Sequence, residues 1–442
     1  MVFFSRHQHR GLLAPMIAIL AMTANATLDG NPLATSDQQS LDALAIKINQ
    51  DKSFPVLKAE AKAAYKTAHG LPVSDEALSS LDAAIDELAF SSIQKAVNSD
   101  AYFPKVYWVD AGPRNWFGLD VPGGRYSYDN PDCIYRTIPI DSSLSYIITG
   151  FRHGSGPTDV TFSLISDPNS QNTVAHLSGS DLVVKSDGSY TITVNSTSAD
   201  NETNHIQSTS SAKQLLIRNN LGIWGTEKPD NLTVDLVGDN SSHSALTEAQ
   251  IILAATWNLQ ESIVDYGVGA LGIKTSLNKV NALSAPSTLT TQASSFGHFN
   301  LADDEALVAT VTQGDADYFV FPLTNPWMIT TNPANQVSLN SKQAVANTNG
   351  TYTFVISLED PGVYNWLNTT GLYEGTIMVR WQGLPTSSSS TSSTSSPAVE
   401  VQVVSLSELA SVLPSETRYV TSEERNSLLA QRVAAYAQRT EF

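Results

Sequence analysis

A single cysteine, Cys133, stands in 442 residues. That excludes an intramolecular disulfide framework and any multi-cysteine zinc or iron–sulfur site. Charge is sparse as well, at 15% of residues, and 25 Lys and Arg face 43 Asp and Glu for a formal net charge of −18. Like charges repel, so neither a nucleic-acid backbone nor an anionic membrane surface is expected as a partner. No segment has the ~20 consecutive apolar residues of a stable membrane span. A Gly-x-Ser-x-Gly elbow, a His-Glu-x-x-His helix and a phosphate-binding Gly-x4-Gly-Lys loop are all missing, so no metal or cofactor is expected from motif. What remains is a chain that is 41% hydrophobic. It can bury cores, and at about 100–200 residues per domain its length suits two or three of them.

The first residues read as an address. Arg6, His9 and Arg10 precede a mostly apolar run from Gly11 to Thr23, and Ala24-Asn25-Ala26 offers the small-x-small pattern of a signal peptidase site. A cleaved secretory signal over 1–26 is expected, and with it a secreted, extracellular protein. Asn-x-Ser/Thr acceptors at Asn195, Asn201, Asn231, Asn240, Asn349 and Asn368 fit surface loops that carry glycans. Cys133 lacks a neighbouring His or Lys that would favour its thiolate, which suits a buried, inert thiol better than a reactive one.

Periodicity divides the rest. Residues 27–104 form a helical region: Leu41, Leu44, Ala45 and Ile48, then Ala77, Leu78, Leu81, Ile85 and Leu88, have helical spacing. This region is expected to pack on the outside of the main body. Short β-branched and aromatic runs follow within 105–244: Tyr146–Phe151, Val160–Ile165, Leu182–Lys185, Tyr190–Val194, Leu215–Arg218 and Leu232–Val237. Asp187-Gly188 reads as a hairpin turn between the third and fourth. A central helix and connecting loop occupy 245–300. A second β unit spans 301–420, with candidates at Ala306–Thr312, Tyr318–Leu323, Tyr352–Ser357, Gly375–Trp381 and Val399–Ser405, and an all-Ser/Thr loop at 386–396. Residues 421–442 end in an amphipathic helix whose Arg432 and Arg439 suit its dipole. The fold class is mainly β with α: two antiparallel jelly-roll or β-sandwich units with helical additions. The doubling shows no clean residue-level repeat.

Few residues suggest chemistry. Gly267-Val268-Gly269-Ala270-Leu271-Gly272 matches a dinucleotide-binding pattern but follows a helix instead of a strand, and reads as a helix exit. Asp303-Asp304-Glu305 and Asp315-x-Asp317 read as solvated acidic loops rather than calcium ligands. The arginines carry more information. Alternation places Arg136 on the face of Ile134 and Ile138, and Arg380 on the face of Met378. An inward guanidinium needs a carboxylate, carbonyls or an anionic ligand; Asp132, Asp141 or Glu374 would supply a structural partner. Tyr135 and Trp381 adjoin these arginines, and such aromatics either fill a core or stack on a ligand.

Several segments resemble a known family. They include Asn130-Pro131-Asp132-Cys133-Ile134-Tyr135-Arg136, Ser186-Asp187-Gly188-Ser189-Tyr190, Asn219-Asn220-Leu221-Gly222-Ile223-Trp224, Asp360-Pro361-Gly362-Val363-Tyr364-Asn365-Trp366-Leu367 and Arg380-Trp381-Gln382. Together, over residues 105–440, they are similar to the bacterial and fungal "domain of unknown function twelve-fourteen" family, with Cys133 where that pattern has Asn. The resemblance implies jelly-roll domains and no reaction.

The expected activity is that of a cofactor-independent lyase, isomerase or cyclase acting on a small metabolite, anionic or neutral, with secondary metabolism as the expected setting. Arg136 and Arg380, with Tyr135 and Trp381, would bind the substrate. His153 or His205 would be the general acid/base and Asp132 would orient one of them. The alternative is a lectin-like or cell-surface binding protein that presents its aromatics to carbohydrate.

Overall fold

The computed structural model describes residues 30–70, 72–200, 202–270, 276–284, 289, 292–384 and 395–440. The expected signal segment, Asn201, Leu271-Gly272 and all but the last two residues of the 386–396 tract lie outside the described residues.

Four helices open the chain: α1 (Ser36–Ile48), α2 (Phe54–His69), α3 (Asp75–Ser79) and α4 (Leu81–Val97). Thr35 caps α1 through its side chain, and Gly70, at φ 67°, closes α2 in the left-handed conformation that glycine adopts without strain. The expectation of an outer helical layer is corrected here. Every residue from Glu87 to Val97 of α4 is buried. Its sequence explains part of this: Leu88–Val97 is mostly small and apolar, while the polar Asp82 and Asp86 face solvent in the first turns.

The first β unit contains β1 (Tyr107–Val109), β2 (Arg114–Trp116), β3 (Leu119–Val121), β4 (Cys133–Pro139), β5 (Ser145–Phe151), β6 (Asp159–Ile165), β7 (Thr173–Ser178), β8 (Ser189–Asn195), β9 (His205–Gln207), β10 (Gln214–Asn220) and β11 (Asn231–Val237). Helix α5 (Glu248–Ser262) follows, capped by a reciprocal Thr247–Gln250 box, and widens into a π-type segment over Ile263–Ala270. The second unit contains β12 (Lys279–Val280), β13 (Gln292–Asn300), β14 (Glu305–Thr312), β15 (Tyr318–Thr324), β16 (Ser338–Asn340), β17 (Tyr352–Ser357), β18 (Trp366–Asn368), β19 (Glu374–Gln382) and β20 (Ala398–Ser405). Helices α6 (Leu409–Val412) and α7 (Ser422–Ala437) end the described chain.

Both units are mainly antiparallel sandwiches, and their topologies are the same. The first pairs a sheet ordered β1-β4-β10-β6-β7 with one ordered β11-β5-β8-β9; the second pairs β12-β13-β19-β15-β16 with β20-β14-β17-β18. Each four-stranded sheet ends in one short parallel partner, β9 on β8 and β18 on β17. The fold is therefore doubled although its sequence shows no clean repeat. Each sandwich has its own core, around Phe162, Ile192 and Ile217 in one and Phe319, Phe354 and Trp381 in the other. A third core joins α1, α2, α4 and α5 to residues of both units, including Tyr126, Trp224, Trp327 and Met378.

Some elements differ from the sequence reading. Leu182–Lys185 forms no strand, although Gly188, at φ 89°, makes the expected turn. Strand β13, read as part of a loop, is Gln-Ala-Ser-Ser-Phe-Gly-His-Phe-Asn, too polar and small to show a strand pattern. Its pairing with β19 over nine residues supplies what its own propensity does not. On α5, Ile251, Ala255 and Leu259 face inward while Leu253 and Trp257 are exposed. Arg432 does not sit at the helix end as a dipole partner; it is buried, donates to the carbonyls of Pro333 and Asn335, and stacks on Trp224.

Candidate functional site

Alternation along β10 and β19 decides what the two sandwiches show each other. Leu215 and Ile217 enter the first core, so Leu216 and Arg218 point out of it; Ile377, Val379 and Trp381 enter the second, so Met378 and Arg380 point out of that. Because β10 and β19 hold the same place in their sheets, Leu216-x-Arg218-x-Asn220 and Met378-x-Arg380-x-Gln382 are structural counterparts. The partner strands follow suit: Tyr135 of β4 lies opposite Arg218, and Phe296 of β13 lies opposite Met378.

These outward faces border one cavity of about 560 Å³. Leu216, Arg218 and Tyr135 come from one sheet and Gln292, Phe296, Met378 and Arg380 from the other. The segment Tyr126–Asp129, the turn Asn169–Gln171 and, from the π-type segment, the consecutive pair Asp265 and Tyr266 complete most of the wall. A wider helical turn is a recurrent device at functional sites. Of the nine non-glycine residues with left-handed φ among those described, Asp110 (57°), Ser127 (51°), Tyr128 (62°) and Gln171 (57°) all line this cavity. Backbone held in that region costs about 1–3 kcal/mol per residue and gathers where a site needs it.

Polar groups of the wall are tied to one another. Arg218 donates through Nη1 to Gln292 Oε1 at 3.0 Å, and the side-chain amides of Gln382 and Gln292 meet at 2.9 Å. The side chains of Asn220 and Gln382 meet directly, joining the two pseudo-equivalent strands. Arg380 is 4% exposed, its Nε donates to the Met378 sulfur at 3.2 Å, and its Nη1 has no acceptor among the described residues. Burial raises the phenols: Tyr128 to about 12, and Tyr126, Tyr135 and Tyr266 well above the ordinary phenol value. All four remain hydroxyl donors at neutral pH. Asp110 is pushed well above the usual carboxylate range by burial and then by Asp129. Lys95 of α4 sits in a recess that shares Asp110, Tyr126, Tyr135, Gln171 and Leu216 with the cavity. Its ammonium donates to Asn169 Oδ1 at 2.9 Å and lies 4.4 Å from the Tyr126 ring centroid. Burial lowers its pKa to about 8 against the pull of Asp110, Asp167 and Asp265.

Of the residues singled out in the sequence, Tyr135 and Arg380 line the cavity and the others do not. Arg136 points into the first sandwich, where it donates to the Asp230 carbonyl and to Asn219 Oδ1, each at 2.6 Å. Neither Asp132, Asp141 nor Glu374 is its partner. Trp381 fills the second core, donating to the Thr312 carbonyl at 3.0 Å. His153 bonds Asn231 beside β11, and His205 is held between Thr193 Oγ1 and the Thr197 carbonyl at 2.7 and 3.0 Å. Asp132 orients neither histidine. It is fully buried and accepts from Trp224 Nε1, Tyr318 Oη and Asn340 Nδ2 at 2.8, 2.5 and 2.7 Å, fastening the first unit to the second. Cys133 is buried, and burial pushes its thiol up, away from thiolate chemistry. Asn349 is exposed, whereas Asn195, Asn231, Asn240 and Asn368 are partly covered.

Arg218, Asp110, Tyr126, Tyr128 and Lys95 were not selected as site residues from the sequence. For Arg218 a signal existed: apolar-x-Arg-x-amide occurs at 216–220 and again at 378–382. For Lys95 none did, since a lysine near a helix end reads as solvated.

No protein-family model and no curated protein matches the chain. Among solved structures, an uncharacterized protein from Burkholderia cenocepacia is similar in fold, with a TM-score of 0.66 at 19% identity over 83% of this chain and 99% of that one. The VPA0106 protein from Vibrio parahaemolyticus also matches, at a TM-score of 0.37 and 11% identity over 73% of this chain and 99% of that one. No described helix is long and apolar enough to cross a membrane. The likeness to the Burkholderia protein shows that the doubled sandwich with its helical layer is a fold this chain shares with that protein.

Proposed function

We propose that the protein binds a small organic anion in the cavity between its two sandwiches and acts on it as a cofactor-independent enzyme of the lyase, isomerase or cyclase type. The observation that carries this reading is the pair Arg218 and Arg380, counterparts in the two halves that border one enclosed space, with Nη1 of Arg380 lacking a protein acceptor among the described residues. A buried guanidinium is expensive to leave unmatched, and a ligand carboxylate or enolate oxygen would match it. Tyr126, Tyr128, Phe296 and Met378 supply the apolar wall such a ligand needs to bury its carbon frame. Asp110, whose carboxyl burial pushes up, serves as the acid, and Lys95 in the adjoining recess exchanges protons near neutral pH. In this reading His153 and His205 are structural.

The lectin-like alternative has less support. Six of the seven tryptophans, all but Trp257, are 5% exposed or less and offer no stacking platform. Secretion and N-glycosylation remain part of the proposal on the sequence features alone.

The test is calorimetry against a panel of small aromatic and aliphatic carboxylates, with turnover followed for each binder. A ligand whose affinity falls about 10–100-fold in Arg380→Met, the loss expected for one charge-assisted hydrogen-bond partner, supports the site. Binding that is indifferent to Arg380→Met, or no carboxylate bound even at millimolar concentration, removes it. Lys95→Met should bind the same ligand and lose turnover.

A further inference from the structure

The last residue of α2, one residue of β13 and the first residue of β19 bring His69, His298 and Glu374 together. The pairing of β13 with β19 sets Asn300 opposite Glu374 and His298 opposite Thr376. His298 and Glu374 are therefore diagonal neighbours on one face, and His69 comes down on them from the helical layer. All three are buried, at 0%, 6% and 2% exposure for His69, His298 and Glu374. Both Nε2 atoms face the same carboxylate oxygen, Glu374 Oε2, at 3.3 Å from His69 and 3.5 Å from His298. The three ligand-capable atoms lie within 4.8 Å of one another.

Both imidazoles hydrogen-bond the Glu374 carboxylate, and the same spacings suit a shared ion. Ligand atoms around a tetrahedral ion, each about 2.0–2.2 Å from it, stand about 3.4 Å apart along the edges of the tetrahedron, and 3.3 and 3.5 Å bracket that value. The surroundings are also built for a ligand set. Ser74 donates to the other oxygen, Glu374 Oε1, from its backbone N at 2.9 Å and its hydroxyl at 3.0 Å, which leaves Oε2 turned toward the imidazoles. The Trp327 ring packs 5.5 Å from the His69 ring and helps fix its plane. Second contacts of this kind orient a metal's ligands and set their basicity.

We propose that His69, His298 and Glu374 bind one zinc-class divalent ion. Two imidazoles and one carboxylate are the donor set that such ions favour over calcium or magnesium, which take oxygen ligands. The ion clamps the end of α2 to the β13–β19 pair of the second sandwich. Three protein ligands leave one tetrahedral position for a water or a small ligand. The site lies one same-face step beyond the Phe296–Met378 pair that lines the cavity. It stands independently of the anion-binding reading, since none of its three residues lines that cavity.

The test uses the full-length protein, stripped with chelator, reloaded with Zn(II) or Co(II) and desalted. Elemental analysis should find about one equivalent of metal per chain, and the cobalt form should show the visible d–d bands of a low-coordinate site with imidazole ligands. His298→Gln and Glu374→Gln should abolish both signals. Because a change at Glu374 can disturb the fold, Ser74→Ala is the milder variant: it keeps all three ligands and should weaken Zn(II) binding about 10–100-fold. Substoichiometric uptake without d–d bands in the unaltered protein overturns the proposal. So does binding that persists unchanged in His298→Gln and Ser74→Ala.

Discussion

Arg136 on β4 and Arg380 on β19 sit on inner strands of the five-stranded sheets in the two halves of one doubled fold, and both are buried. Their surroundings are nonetheless opposite. Arg136 points between the two sheets of its sandwich, where the Asp230 carbonyl and Asn219 meet its guanidinium. Asp230 in turn accepts from Arg152 and from the Tyr190 hydroxyl, while Arg136 Nε and Asn219 Nδ2 find no partner among the described residues. Arg380 points out of its sandwich, into the cavity between the units, and its orphan nitrogen, Nη1, therefore belongs to a residue that a ligand could reach. A strand in a two-layer fold has one interior; a strand in a fold of two sandwiches and a helical layer has two. Burial alone does not separate a structural arginine from a binding one, whereas the identity of the covering layer does.

The comparison breaks first at Asp230. Asp230→Ala should destabilise the protein by about 3–5 kcal/mol in chemical denaturation, the cost of leaving buried cations without their anion. A loss under about 1 kcal/mol would show that the Asp230 carboxylate contributes no more than a surface ion pair. Arg380→Met should do the reverse: leave the melting temperature unchanged or raise it, because an incompletely matched buried charge is replaced by an apolar side chain, while carboxylate affinity falls as described above. If it melts like Asp230→Ala, the two arginines are equivalent and the cavity loses its anchor.

Lys95 sharpens the comparison on the cation side. Its folded pKa, about 8, lies below its ordinary value of 10.5, so above about pH 8 the native state releases a proton that the unfolded chain still holds. Stability due to this group therefore rises with pH across the window from about 8 to 10.5, by at most about 3 kcal/mol. The wild type should show that slope in denaturation curves and Lys95→Met should lack it. A flat difference between the two would mean that the amine is solvated. The smallest effect belongs to His205→Ala, which removes two hydrogen bonds at the edge of the first sandwich. About 1 kcal/mol of stability should go, with ligand affinity untouched.

Much of the scaffold was legible from local pattern. Strands with clear alternation, such as Tyr352–Ser357, were found with their limits. Strand β13 was not, because Ser294, Ser295 and Gly297 carry no β signal and the strand depends on β19 for its pairing. For the site, alternation placed Arg380 on the covered face of Met378 but gave Arg136 the same weight, since a period of two cannot tell one covered face from another, and Tyr135 entered only as the neighbour of Arg136. His153 and His205 were chosen for their titration range, and both lie in turns and edges remote from the cavity. Asp110 and Lys95 escaped notice because their chemistry comes from burial, which no neighbour in sequence reveals.

By itself the chain determined the class of its parts: β-branched and aromatic alternation made antiparallel sheets, and the small and apolar run in the second half of α4 made a helix that is buried there on every side. Local propensity and period suffice for such features, since their causes lie within a few residues. Only the tertiary structure decided that the same sandwich is built twice, that Arg218 and Arg380 border one space, and that His69, His298 and Glu374 meet. Those juxtapositions join residues tens to hundreds of positions apart, and they exist because burying the outer faces of two sheets beneath one helical layer brings their side chains together.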